Sequence, residues 1–278
     1  MRSAWITAAA AAAASISSAG AAQAAELLLD DVVARVVVIS EARSDIAVQV
    51  QPGRSGLAAP QVERGATGVR VSGGHRVNHC DGNDGAMRVR IRGEQQISIA
   101  DAPVITVRAP RDVQIRKIGG AVVGQVDRTS SLNLSSGGCA HWTVANVEGE
   151  LTLEQSGGSR AIAGQSRTAR LRASGGGSIR LQSTGALDAQ ASGGGVVRVN
   201  AVSGPVEAAG SGGGGVKIAG GRAGRLVARA SGGGYVDHDG VAASLDARAS
   251  GGGRVSVAEV TGEVNRSSSG GGSVSVGR

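Results

Sequence analysis

A right-handed parallel β-helix, an all-β solenoid with coils of about nineteen residues, is predicted by three observations. A Ser followed by a run of Gly recurs to the end of the chain, at Ser136, Ser156, Ser174, Ser192, Ser211, Ser231, Ser250 and Ser269, with successive spacings of 20, 18, 18, 19, 20, 19 and 19. Apolar residues are locked to each Ser at fixed offsets. Helical periodicity is nearly absent beyond the first two dozen residues. Self-similarity at such a period marks a repeat architecture in which each unit buries its apolar face against the next.

The offsets define the strands. Five residues before the Ser stands Leu151, Ala169, Leu187, Val206, Leu226, Leu245 or Val264, and five after it stands Ile179, Val197, Val216, Val236, Val255 or Val274. The position two further on is apolar except at His238. Alternation of apolar with polar or small residues places successive side chains on opposite faces of a strand, so each repeat reads as two short strands. The Gly run between them allows positive φ and close backbone approach. The turn Ser residues are therefore Ser174, Ser192, Ser211, Ser231, Ser250 and Ser269.

One such unit cannot stand alone, because an isolated pair of four-residue strands is marginal in water. Coiling the repeats around one axis stacks equivalent strands about 4.8 Å apart and buries their Val, Leu and Ala in a continuous column. Seven to eight coils would make a rod roughly 35 to 40 Å long. A β-propeller is the rival, although its blades take about forty residues each, twice the period seen here.

The series from Ser174-Gly-Gly-Gly to Ser269-Gly-Gly-Gly, with Leu187-Asp-Ala-Gln-Ala and Val197-Arg-Val around it, resembles exported bacterial proteins that carry a GIN domain, an autotransporter adhesin head, and the related β-strand-repeat families. Pro103-Val-Ile-Thr-Val and Val122-Val-Gly-Gln-Val fit the same likeness, which spans roughly residues 30 to 278. The resemblance implies a repetitive β fold and an association with the cell surface. It implies no activity and no cofactor.

The N-terminus reads as an export signal. A short basic region at Met1-Arg-Ser-Ala-Trp precedes an Ala-rich apolar stretch from Ile6 to Ile16, and Ala22-Gln23-Ala24 offers small residues for cleavage before Ala25. The expected divisions are a signal peptide over 1–24, an irregular β region and cap over 25–118, and the Ser-Gly-Gly β-helix over 119–278. The boundary falls at Gly119 and Gly120. In the middle division the alternations at Val36, Ile46, Val69, Met87, Ile97 and Val104 read as strands. No later segment has eighteen consecutive apolar residues, so no membrane span is expected, and the location is the periplasm or the cell surface.

Composition narrows the function. The chain has two Trp, one Tyr and no Phe, and Trp5 leaves with the signal, so aromatic platforms for sugars or single-stranded nucleic acid are poorly supplied. Loss of Arg2 with the signal leaves 28 basic against 22 acidic residues, a net charge of +6. The Arg residues are scattered along the strands, which points away from nucleic acid and leaves an anionic glycan or lipid headgroup as the charged partner.

Cys80 and Cys139 in an exported chain form an intramolecular disulfide. The alternative is a tetrahedral zinc site from His79, Cys80, Cys139 and His141, opposed by the opposite facing of neighbours on a strand. The Gly runs lack the Lys of a phosphate loop. Asp81-Gly-Asn-Asp-Gly lacks the terminal Glu of a calcium loop, where Arg92 stands instead, and reads as a turn. Catalytic, metal and cofactor sites are thus all expected to be absent.

One segment carries an enzymatic alternative. Asp237 and Asp239 would share a strand face and could act as acid and base on an acidic polysaccharide. Against this, His238 takes the inward register, and the equivalents of Asp237 on neighbouring coils are Arg180, Arg198, Lys217 and Ser256. The leading expectation is a non-catalytic, adhesin-like or cell-envelope scaffold; the alternative is a carbohydrate-active or acidic-polysaccharide-binding β-helix. No cap is evident after Val274-Ser-Val, so the last coil is expected to pair with the same coil of a second molecule as a homo-dimer.

Overall fold

The computed structural model describes residues 24–82, 86–93 and 96–277. All of the expected export signal over 1–24 except Ala24, and most of the turn at 81–85, lie outside them. The chain is 68% strand and 2% helix, and it stacks parallel coils of about 19 residues into a β-solenoid of about 9 turns. The count exceeds seven to eight because strands before Ser136 already stack.

Three faces run along the axis. Face A is built from Asp112–Ile118, Ser131–Gly137, Glu150–Ser156, the latter part of Arg160–Ala173, the latter part of Ser178–Ser192, Val206–Ser211, Leu226–Ser231, Leu245–Ser250 and Val264–Ser269. Face B carries Ala121–Val126, Cys139–Val144, the first parts of the two long strands, Val196–Val202, Gly215–Ile218, Tyr235–Ala242, Arg254–Val260 and Ser273–Val276. A third face, not anticipated from two strands per repeat, consists of short parallel contacts such as Thr184 on Val202 and Ala223 on Ala242. Its segments are too short and polar to show an alternation.

The register follows the offsets. On face A, Leu151, Ala169, Leu187, Val206, Leu226 and Leu245 stack in one column and point inward. On face B, Ile179, Val197, Val216, Val236, Val255 and Val274 do the same. Each addition hides a branched or small side chain between two like neighbours, at about 25 cal/mol per Å² of apolar surface removed from water.

The Ser-Gly corner works through its backbone. The Ser231 carbonyl accepts from Gly234 N at 2.9 Å, closing a tight turn, and also from Gly212 N of the adjacent coil at 3.2 Å. Gly232 has φ of 56°, and a Cβ on Gly234 would overlap the Gly210 backbone beneath it. The same turn bond, at 2.9 Å, recurs at Ser174, Ser192, Ser211, Ser250 and Ser269. Ser192, Ser211, Ser231, Ser250 and Ser269 stack directly.

Ser136 is out of step. It pairs with Gln155, while Gly137 pairs with Ser156. The inward series at this corner is Lys117, Ser136 and Gln155, spaced by nineteen, and it is polar where later coils carry Ala173 and Ala191. Lys117 is 3% exposed and its Nζ donates to Gly120 O, Gly137 O and Cys139 O at 3.0, 2.7 and 3.1 Å. Burial pushes the ammonium down to about 8, opposed by the nearby Asp31 carboxylate.

The N-terminal strands enter the stack out of chain order. Ala25–Asp30 lies between Gly68–Ser72 and Asp112–Ile118, and Val33–Glu41 lies between Val104–Pro110 and Ala121–Val126. Ala47–Gln51 and Gln61–Arg64 then add antiparallel strands to the end of the sheet. Gly119 and Gly120 form the corner between Asp112–Ile118 and Ala121–Val126 within one turn. A separate antiparallel sheet of Val77–Asp81, Arg88–Ile91 and Gln96–Ser98 packs Met87, Val89 and Ile91 against Ala121 and Val33 on the outside of the rod.

At the far end the last face A strand, Val264–Ser269, is exposed along its length. Arg266 and Ser268 pair with Ala247 and Ala249, so a charged and a polar residue stand where earlier coils place Ala inward.

Candidate functional site

Cys80 and Cys139 form a disulfide with Cα atoms 6.1 Å apart across a sequence separation of 59. It fastens the outer antiparallel sheet to face B, so both sulfurs of the alternative zinc set are bonded to each other. Among the described residues no group of three or more metal-binding side chains comes together. His79 is exposed, whereas His141 is buried beneath the outer sheet. Cys80→Ser with Cys139→Ser is expected to cost about 3 kcal/mol by releasing a long loop in the unfolded chain. Equal denaturation midpoints for oxidised and doubly substituted protein would contradict that.

Trp142 fills the interior of face B and is 1% exposed, with Nε1 donating to Ser136 Oγ at 3.2 Å. Gly124 lies directly beneath the ring, where any Cβ would overlap it, and Ala161 lies above. Trp142 therefore offers no surface to a ligand. Tyr235 remains partly exposed, with its ring leaning over Gly215 of the preceding coil.

The structure places Asp237 and Asp239 outward and His238 inward, stacked between Ile218 and Val257. Asp239 is held by Lys217 Nζ at 3.1 Å. Asp237 has its carboxyl pushed up, first by burial and further by the Asp239 charge, against the attraction of Lys217 and Arg254. Burial pushes the His238 imidazole down, and the nearby Val241 carbonyl, 3.4 Å from Nε2, and Asp239 only partly offset it.

This depression fixes a pH dependence. The unfolded chain takes up the His238 proton near pH 6.5, while the folded chain resists it. Stability should therefore be unaffected by this group above that pH and should fall progressively as pH drops below it. Thermal melts of His238→Val, compared with wild type between pH 7.5 and 5, test this. The wild type should lose more stability on acidification than the variant, and parallel curves would contradict it.

Charge is arranged differently on the two long faces. On face A, cations pair with acids of neighbouring coils: Arg170 lies 3.2 Å from Glu150 and 3.6 Å from Asp188, Arg172 lies 3.4 Å from Glu154, and Arg229 pairs with Glu207, although Asp188 also stacks on Glu207 and Arg229 on Arg248. A groove of about 520 Å³ on this face is lined by Arg170, Asp188, Glu207, Arg225, Val227 and Arg229. Most of its charges are already paired. On face B, Arg180, Arg198 and Lys217 stack directly upon one another. Beside them Asn200 Nδ2 donates to Gln182 Oε1 at 2.9 Å. The stacked cations were legible from the offsets, whereas the amide pair and the Tyr235 ring over Gly215 were not read as neighbours.

No family model matches the chain, and no curated protein matches it. No helix among the described residues is long and apolar enough to cross a membrane.

Proposed function

We propose that the protein is a non-catalytic, exported β-solenoid serving as an adhesin-like or cell-envelope interaction scaffold, in line with the resemblance of its repeats to GIN-domain proteins. One observation carries this reading: outward side chains on faces A and B recur at the same lateral position on successive coils, so the rod presents long flat strips suited to an extended ligand. A disulfide joining Cys80 to Cys139 supports an oxidising compartment. Fractionation of cells producing the full chain, followed by glycan-array binding of the purified protein, tests the proposal. Recovery in the periplasm or at the surface with a retained glycan that is not degraded is the expected result. A cytoplasmic protein with reduced thiols would overturn it.

A second reading, a carbohydrate-active β-helix, is favoured by the closeness of a raised Asp237 carboxyl to the Asp239 carboxylate, which lies 3.1 Å from Lys217 Nζ. Such a pair matches an acid and a base. Release of shortened products from an acidic polysaccharide, lost in Asp237→Asn, would favour it over the scaffold.

A further inference from the structure

We infer that Arg180, Arg198 and Lys217 on face B form a binding strip for a linear acidic polysaccharide whose carboxylates or sulfates run along the solenoid axis. The inference rests on the scaffold reading and supplies its ligand class and site. The three cations occupy one lateral position on consecutive coils, because Arg180 pairs with Arg198 and Arg198 with Lys217. Their charges consequently recur about every 4.8 Å in single file.

Like charges placed directly opposite on neighbouring strands are destabilising. Like charges also meet on face A, Asp188 on Glu207 and Arg229 on Arg248, but there each has an opposite charge beside it: Arg170 lies 3.6 Å from Asp188, Arg229 pairs with Glu207, and Arg248 lies 3.7 Å from Asp246. Lys217 reaches Asp239, but among the described residues no ion pair engages Arg180 or Arg198, and both are exposed. A local conflict kept on three successive coils marks a surface arranged for something other than stability.

The surroundings select the ligand. Gln182 and Asn200 line one side of the strip and supply amide groups for hydroxyls. Ser178 and Val196 line the other, which ends at Tyr235 lying over Gly215. Guanidinium groups suit carboxylate or sulfate oxygens, amides suit sugar hydroxyls, and one flat aromatic edge suits the apolar face of a single ring. Single-stranded nucleic acid calls for repeated aromatic stacking, and with Trp142 buried Tyr235 is the sole described aromatic with exposed surface. A planar membrane surface would not exploit charges set in single file.

The test uses the full chain against polygalacturonate, dextran sulfate, a single-stranded DNA homopolymer and vesicles containing anionic lipid. Affinity is measured at two salt concentrations for wild type, Arg180→Gln with Arg198→Gln, and Arg229→Gln with Arg248→Gln on face A. Binding to an acidic polysaccharide should weaken at least tenfold in the face B variant, with a shallower salt dependence, and should be retained in the face A variant. The face B variant should melt no lower than wild type, since a repulsive stack has been relaxed.

Equal losses in both double variants, or tighter binding to DNA or vesicles than to either polysaccharide, would overturn the strip. So would the absence of polysaccharide binding by wild type, while leaving the scaffold reading intact. Degradation of the polymer during binding would instead overturn the non-catalytic reading and leave the strip as its subsite.

Discussion

Val216→Asp is expected to lower the melting temperature by on the order of 10 °C, whereas Arg198→Ala should leave it nearly unchanged. Val216 is fully buried, and its neighbours along the column are Val197 and Val236. A carboxylate there meets Val197 and Val236 along its column, and the buried cation Lys117 lies on face A in the first coils. It must either remain charged in an apolar column or bind a proton, and the cost is about 4 kcal/mol or more. Each coil of a solenoid contacts only its neighbours, so the break falls in the middle of the stack and separates its two ends. Arg198 stands between the inward Val197 and Val199 and so points to solvent, and its removal takes away a like-charge contact. Comparable melting temperatures for the two variants would refute the inward register of face B.

Trp142→Ala is expected to destabilise by about 4 kcal/mol, because it opens a large cavity between Gly124 and Ala161 and leaves Ser136 Oγ without the indole donor. The complementary change gives a sharper result. Gly124→Ala alone forces a Cβ into the ring and should cost about 2 kcal/mol. In the Trp142→Ala background the same methyl enters vacated space, so Gly124→Ala should become neutral or stabilising. Denaturant midpoints of the four proteins measure the coupling, and additive effects would mean that the ring does not lie over Gly124.

The regular coils were legible because one Ser-Gly corner and two apolar offsets repeat with little variation from Ser156 to Ser269, and the paired residues follow those offsets without a slip. Ser136 misled because the spacing to Ser156 is twenty, one more than the register of the coils there. Lys117, Ser136 and Gln155, each nineteen apart, were the signal that could have revealed the true register. They went unread because polar residues are not expected to point inward. The outer sheet and the disulfide partners lie apart in the chain but adjacent in space, and there only the cysteine pairing could be inferred.

The order of the first coils was hidden for a different reason. Nothing local to Ala25–Asp30 or Val33–Glu41 shows that later segments will stack on both sides of them, since that choice is made by long-range pairing. At the other end, Arg266 and Ser268 sit at the offsets of Ala247 and Ala249, so the loss of the inward Ala pattern in the last coil was present in the repeat alignment. The column of Arg180, Arg198 and Lys217 was equally visible there. Its contrast with the ion-paired face A emerged only when neighbouring coils could be compared.

Spin-label distances along the Ser ridge test the stacked solenoid most directly. Nitroxides on pairs of Cys substitutions at Ser174, Ser211, Ser231, Ser250 and Ser269 can be read by pulsed electron resonance, since Cys80 and Cys139 are bonded to each other and take no label. From Ser174 to Ser269 there are five steps, through Ser192, Ser211, Ser231 and Ser250. The expected separation is about 24 Å, growing by about 4.8 Å with each added coil. Distances that fail to grow by a constant step, or that shrink again toward Ser269 as in a closed ring of propeller blades, would contradict the parallel stack and with it the single-file strip on face B.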